Sequence, residues 1–260
     1  MNVQRVVLHN NQKAPAFKSC VRHYRAPEKE FINAPVNTTT CLFRHDLDWR
    51  GFVDLIKKTF AGKEKVNAYS LASSDGSEAY TYAICIFDKM PKTEHSKYLP
   101  IIASDIDEEV IKAGKTGKIN LSTKDLVKTE LHLNRSKMYF KHCGEAMKIK
   151  NNKEFEQTYY KEYNLYEPIN KLKNAVKFKQ VDILTQLKKI KDEGNSIIFC
   201  RNVAPYLSNN YILDIVETAK KVLKTGSLFV IGDYDICSGI DYILRNSGFV
   251  EQAKNIFKRV

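Results

Sequence analysis

Residues 67–87 read Asn67-Ala-Tyr-Ser-Leu-Ala-Ser-Ser-Asp-Gly-Ser-Glu-Ala-Tyr-Thr-Tyr-Ala-Ile-Cys-Ile-Phe87. Ala68 to Ala72 is a short apolar run that suits a buried strand. Ser73, Ser74, Asp75 and Gly76 are turn formers. From Ser77 the apolar spacing changes, and Ala79, Ala83, Ile84 and Phe87 share one helical face. The stretch therefore reads strand, tight turn, helix. In a parallel α/β sheet, ligands sit beside such turns, at the carboxyl ends of the strands. Gly76 can take positive φ and let a ligand approach the backbone. Glu78 opens the helix, where its charge suits the dipole and is placed to meet a ligand's ammonium or hydroxyl. The same residues also describe an ordinary βα turn.

Outward from this stretch, strands and helices alternate. Leu47 to Phe60 reads as a helix, with Leu47, Phe52, Leu55, Ile56 and Phe60 inward. Arg44 precedes it, either as a surface charge or as a fork that grips a carboxylate. Tyr98 to Ile106 reads as a second buried strand with Asp105 at its carboxyl end, where doubly wound folds place an acid for ribose hydroxyls. Asp107 reads as the cap of the helix that follows. Residues 120–175 break the rhythm and read as an insertion. Within it, Leu121 to Leu133 suggests a short helix capped by Ser122 and Thr123, and Met138 to Lys150 looks strand-like. Asn151 to Lys173 suggests part of a small hairpin. Alternation resumes with strands at Ala175 to Val181, Ser196 to Cys200 and Ser227 to Ile231, and a helix at Asn209 to Leu223. Ile240 to Val260 reads as a helix followed by a closing hairpin edge. This alternation implies a parallel sheet with right-handed crossovers.

The 260 residues suffice for one substantial domain, and 43% hydrophobic content supports a real core. Residues 1–36 carry Pro15, Pro27 and Pro35 among many basic residues, and read as a basic N-terminal arm. No run approaches the ~20 apolar residues of a membrane span, and no secretory h-region is visible. The six cysteines form no Cys-x-x-Cys pair, which favours reduced thiols in a cytoplasmic protein. The histidines lack metal-ligand spacing, so no metal is expected. The net charge of +12 suits an acidic partner or a generally lysine-rich chain, since the lysines form no dense block.

Several segments, taken in order, resemble the chemotaxis-receptor methyltransferases, the CheR-type protein-glutamate O-methyltransferases. Ile198-Phe199-Cys200-Arg201-Asn202-Val203, with Tyr206 following, matches that family's Ile-Phe-Cys-Arg-Asn-Val and its tyrosine. Ala103-Ser104-Asp105-Ile106-Asp107 matches its Ala-Ser/Thr-Asp-Ile-Asp. Ser74, Gly76, Glu78 and Tyr80 match its Ser-Thr-Gly-Glu-Glu-Pro-Tyr, and Thr40, Phe43 and Arg44 its Thr-x-Phe-Phe-Arg. Val181-Asp182-Ile183-Leu184 lies where the family has Val-Asn-Leu-Leu. Asp75, Ser77 and Ala79 depart from the pattern, and Ala72 stands where the family often has Gly or Ala. Residues 1–36 cannot hold the family's N-terminal helical domain, associated with receptor docking.

The resemblance spans about residues 37–260. It implies a Rossmann-like class I methyltransferase sheet, mostly parallel with an antiparallel closing strand, a small inserted β-subdomain, and S-adenosyl-L-methionine as cofactor. It implies that Glu78 meets the cofactor's amino-acid end, Asp105 its ribose and Asp182-Ile183 its adenine. Thr40, Arg44, Ala72, Gly76, Arg201 and Asn202 join the implied cofactor contacts. Arg44 and Tyr206 would lie beside the transferred methyl as the catalytic pair. The implied partner is an acidic side chain of a protein substrate, the cytoplasmic region of a chemoreceptor, without membrane insertion. Two rivals remain: methylation of RNA or a small molecule on the same fold, with nucleic acid less favoured, or a non-catalytic S-adenosylmethionine-binding sensor or scaffold.

Overall fold

The computed structural model of the chain describes residues 40–122, 139–145 and 163–260. The arm expected at 1–36 lies outside them, as do most of 123–162. The stretch quoted above folds as strand β1 (Asn67–Leu71), a turn, and a helix (Ser77–Lys89). β1 is the third strand of a seven-stranded sheet. Its neighbours are β2 (Ile101–Asp105) and β7 (Ser196–Phe199), both parallel to it. β6 (Val176–Gln180) flanks β2, and β8 (Leu228–Val230) flanks β7, again in parallel. The chain closes with β9 (Phe249–Ala253) and β10 (Ile256–Arg259). β10 pairs antiparallel with both β8 and β9, giving the order β6-β2-β1-β7-β8-β10-β9. This is the expected Rossmann-like sheet, mostly parallel with an antiparallel closing strand.

Alternate strand residues feed opposite faces, as the pleat requires. Ala68, Ala103, Ile197 and Phe199 join one core; Tyr69, Leu71, Ile198 and Phe229 join the other. Helices α1 (Trp49–Thr59) and α2 (Ser77–Lys89) cover the first face, with Trp49, Phe52, Ile56 and Ala83 buried. α1 begins where the Asp48 carboxylate accepts the backbone N–H groups of Arg50 and Gly51, a cap that stabilises by about 1 kcal/mol. α3 (His95–Tyr98) and α4 (Glu108–Thr116) flank β2 in the chain. α5 (Asn170–Asn174) precedes β6 and adds Leu172 to the first core. α6 (Ile183–Lys188), α7 (Asn209–Val222) and α8 (Ile240–Asn246) contribute to the second core.

Between α4 and β6 lies a separate antiparallel sheet of order β3-β5-β4, from β3 (Ile119–Ser122), β4 (Phe140–Glu145) and β5 (Tyr163–Pro168). The helix expected from Leu121 is wrong at its start. Ile119 and Leu121 are both buried, a period of two, and pair with Tyr166 and Asn164. The remainder of that expected helix, and most of Asn151 to Lys173, lie outside the described residues. Tyr98 is likewise not in β2: it ends α3, and the strand starts only after Pro100, which has no N–H to offer a ladder. Among the described residues, no helix is long and apolar enough to cross a membrane.

Candidate active site

The strand order reverses between β1 and β7, which opens a crevice at their carboxyl ends. The functional residues expected from the sequence come from successive strand tips around it. Glu78 follows β1, Asp105 ends β2, Asp182 follows β6, and Arg201 and Asn202 follow β7. Thr40 and Arg44 arrive separately, on the segment before α1. Thr40 is half-buried.

The turn after β1 is held by its neighbour. Asp105 accepts the Ser74 N–H at 2.9 Å through one oxygen and the Asp107 N–H at 3.1 Å through the other. Burial pushes the Asp105 carboxyl above its usual range, and these two amides work against that rise. Asp107 accepts the Val110 N–H at 3.4 Å, the capping role expected of it. Ala72 and Ser74 both take left-handed backbone angles, φ +52° and +50°. Gly76 takes positive φ as expected, at +84°, and packing adds a second reason for its glycine. A Cβ there would stand 2.4 Å from the Phe178 ring, so the missing side chain makes room for packing. Its N–H closes the turn onto the Ser73 carbonyl at 3.0 Å.

Glu78 is engaged at both oxygens. The Ser70 hydroxyl donates to one at 2.8 Å and Arg201 to the other at 2.8 Å. Its side chain keeps 15% exposure, whereas the Arg201 side chain keeps 1%. Arg201 therefore lies behind Glu78, and its second arm donates to Asp46. Its guanidinium also packs over the Trp49 ring at 5.3 Å. Arg201, one of the implied cofactor contacts, thus sits in a buried ion cluster directly behind Glu78.

Asp46 and Asp235 are the two residues the sequence reading missed. Asp46 accepts from Arg201, from the Asn202 amide at 2.9 Å and from the Asp233 N–H at 3.3 Å, with Arg44 3.9 Å away. Burial opposes its charge, but Arg201, the Asn202 hydrogen bond and Arg44 together hold the carboxyl below its usual range. Asp235 sits in the short 3-10 helix after β8 (Asp233–Ser238). It accepts the backbone N–H groups of Gly232 at 2.7 Å, Asn202 at 2.5 Å and Ala204 at 2.9 Å. Burial pushes it up to about 6, against those three amides and Arg201. Asn202 itself is left-handed, at φ +58°, and a Cβ on Gly232 would strike its amide at 2.3 Å. The one available signal was a cluster of acids, Asp233 and Asp235, right after a strand.

Arg44 lies within electrostatic reach of Tyr206. The Arg44 charge eases the ionisation of both Tyr206 and Tyr234, although burial keeps each phenol above its usual value. The guanidinium lies 5.5 Å from the Tyr234 ring centroid. Trp49 donates its indole N–H to the Arg44 carbonyl at 3.2 Å, which fixes this segment against α1. Asp182 caps α6 through the Thr185 N–H at 2.9 Å, and the Tyr211 hydroxyl reaches it at 3.5 Å. Burial would raise the Asp182 carboxyl; the Thr185 hydrogen bonds outweigh it and leave it lowered. Ile183 follows as the first residue of α6 and is buried.

The crevice carries unmet polar groups. Ser73 Oγ, Ser74 Oγ and Asn202 Oδ1 are buried with no hydrogen-bond partner among the described residues. Buried polar atoms are normally satisfied, and left-handed non-glycine backbone concentrates at ligand sites. Together with two carboxylates at adjacent strand tips, they fit a ligand that carries an ammonium group and a ribose diol. A fold of this kind with acids so placed defines the class: an S-adenosylmethionine-dependent methyltransferase.

The comparisons carry this one step further. The family model of the CheR methyltransferase S-adenosylmethionine-binding domain matches residues 38–248, and the chain belongs to that family. It is similar to chemotaxis protein methyltransferase 2 of Vibrio cholerae, with 23% identity over 253 residues, 95% of this chain and 80% of the relative. The chemotaxis protein methyltransferase 2 of Pseudomonas aeruginosa is also 23% identical, over 84% of this chain and 70% of its own length.

Proposed function

We propose that this methyltransferase esterifies glutamate carboxylates of a chemoreceptor-like protein, with Arg44 and Tyr206 orienting the acceptor. The observation that supports it most is the placement of Arg44, 5.5 Å from the Tyr234 ring and 3.9 Å from the buried Asp46, with Tyr206 within reach of its charge. A glutamate has an unperturbed pKa of about 4.3, so it is already ionised near neutral pH and needs no general base. What it needs is alignment, for which about 7–11 kcal/mol is accessible in well-oriented systems. Arg44 supplies charge and a planar fork. Its 3.9 Å approach to Asp46 moderates the grip on an incoming carboxylate, which must stay nucleophilic. A phenol is protonated near neutral pH, and burial only moves Tyr206 further that way, so it can donate to one carboxylate oxygen while the other attacks.

When bound, S-adenosylmethionine supplies an electrophilic methyl on a sulfonium. Glu78 would hold its ammonium end and Asp105 its ribose hydroxyls. Thr40, Arg44, Ala72, Gly76 and Asn202 would contribute to the walls, with Asp182 and Ile183 beside the adenine. An acceptor in a receptor's cytoplasmic region implies a cytoplasmic enzyme. The test is transfer of tritiated methyl to a receptor cytoplasmic fragment, followed by mild alkali. Carboxyl esters hydrolyse and release the label as methanol. Alkali-stable label, or label found only on RNA, would point to another acceptor. Calorimetric binding of the cofactor without turnover on any acceptor would favour a sensor.

A further inference from the structure

We propose that Asp46 is a positioning residue for the cofactor: it sets Glu78 in place through their shared guanidinium, Arg201. The proposal extends the reading of Glu78 as the anchor of the ammonium end, and does not depend on which acceptor is methylated. Asp46 belongs to no strand tip. It arrives on the segment before α1, yet its side chain is only 2% exposed. Arg201 bridges it to Glu78, and both carboxylates pair with the two terminal nitrogens of one guanidinium. Arg201 Nε has no hydrogen-bond partner among the described residues, so these two acids account for its hydrogen bonding there. Asp46 is itself fixed from three other directions. The Asn202 amide reaches it from the tip of β7, and the Asp233 N–H from the tip of β8. The Asn255 amide in the β9–β10 turn donates to its carbonyl at 3.4 Å. Asp46 thus gives Arg201 a fixed abutment, and Arg201 in turn limits where the half-open Glu78 carboxylate can stand.

The electrostatics point the same way. A buried guanidinium shared by two carboxylates divides its field between them. If the Asp46 charge is lost, Glu78 is the carboxylate still hydrogen-bonded to Arg201, and the guanidinium binds it harder. Glu78 then has less negative potential to offer a ligand's ammonium. A residue that merely supported the fold would have no reason to act through Glu78.

A double-mutant cycle on affinity for S-adenosylhomocysteine, measured by calorimetry, separates these cases. This ligand keeps the ammonium and ribose and needs no methyl acceptor. Failure here is thus distinct from failure of the carboxylate reading, which would show as alkali-stable label. Asp46→Asn and Glu78→Gln are each expected to raise Kd about tenfold, and the double variant no more than about twofold beyond the worse single. Additive losses, or an unchanged Kd in Asp46→Asn, overturn the proposal. If Asp46→Asn does not fold, Asp46→Glu takes its place, since it keeps the charge but displaces Arg201. Its Kd is expected to rise at least threefold in the wild-type background and to stay flat beside Glu78→Gln; a wild-type Kd for Asp46→Glu overturns the proposal equally.

Discussion

Asp46 and Asp235 both feel Arg201 and Asn202, and burial opposes the charge of each, yet they end on opposite sides of the usual range: Arg201, Asn202 and Arg44 outweigh burial at Asp46, whereas burial wins at Asp235. Asp46 is held below its usual range, so its contribution to stability is present above the ordinary carboxylate pKa of about 4 and is lost as pH falls through its folded value. Asp235 is raised to about 6. Its contribution is complete below about pH 4 and is lost as pH rises through 6, amounting to roughly 1 kcal/mol between pH 5 and 7. Thermal melts across that window should show Asp235→Asn with a smaller pH-dependent loss than the parent. Parallel curves would mean the carboxyl does not titrate there. For Asp105, replacement by Ala should weaken cofactor binding by about 1.5–3 kcal/mol, the worth of a hydrogen bond to a charged group. An unchanged dissociation constant would contradict its ribose role. Glu78 and Asp105 were legible in the sequence because each stands beside the strand that carries it. Asp46 was not: its partner Arg201 lies 155 residues away, and nothing local marks an aspartate that only the closed sheet will bury.

At the scale of elements, the β1 turn depends on an unusual fit. The Phe178 ring from the edge strand β6 occupies the space where a Cβ of Gly76, and equally of Gly114, would stand, each at 2.4 Å. Gly76→Ala therefore meets both a left-handed φ and a clash, and should cost about 1–3 kcal/mol in denaturant unfolding. Adding Phe178→Ala should recover part of that cost, so the two changes will not be additive. Strict additivity would place the strain elsewhere. The same turn shows what sequence patterns can and cannot supply. Its strand-turn-helix order followed from the apolar spacing, and the glycine from the turn. That the glycine serves a phenylalanine on β6 depended on register, which pairs Phe178 with Ala103. Helix α6 was missed because it has only six residues, too few for a helical period to stand out. Leu121 was misassigned to a helix for a related reason: an apolar residue at the start of a stretch fits a strand or a helix until pairing decides.

In the whole molecule, the reversal of strand order gathers the tips of β1, β2, β6, β7 and β8 along one edge of the sheet, while the segment before α1 lays Arg44 and Asp46 against them. Chain connectivity alone made this edge predictable, since alternating strands and helices with right-handed crossovers leave few other arrangements. The closing antiparallel hairpin also followed from the tail. What stayed out of reach was how the 40–46 segment packs. It carries no strand of its own, and is fixed by contacts such as the Phe43 N–H donated to Thr81 at 3.0 Å.

The most direct measurement is mass-spectrometric mapping of a receptor cytoplasmic fragment after incubation with S-adenosylmethionine and either the parent enzyme or Arg44→Ala. The account predicts methyl esters on glutamate side chains with the parent, and a rate about a hundredfold or more lower with the variant, the scale of removing one group that stabilises developing charge. Methylation on nitrogen, or ester formation at the parental rate in Arg44→Ala, would contradict it.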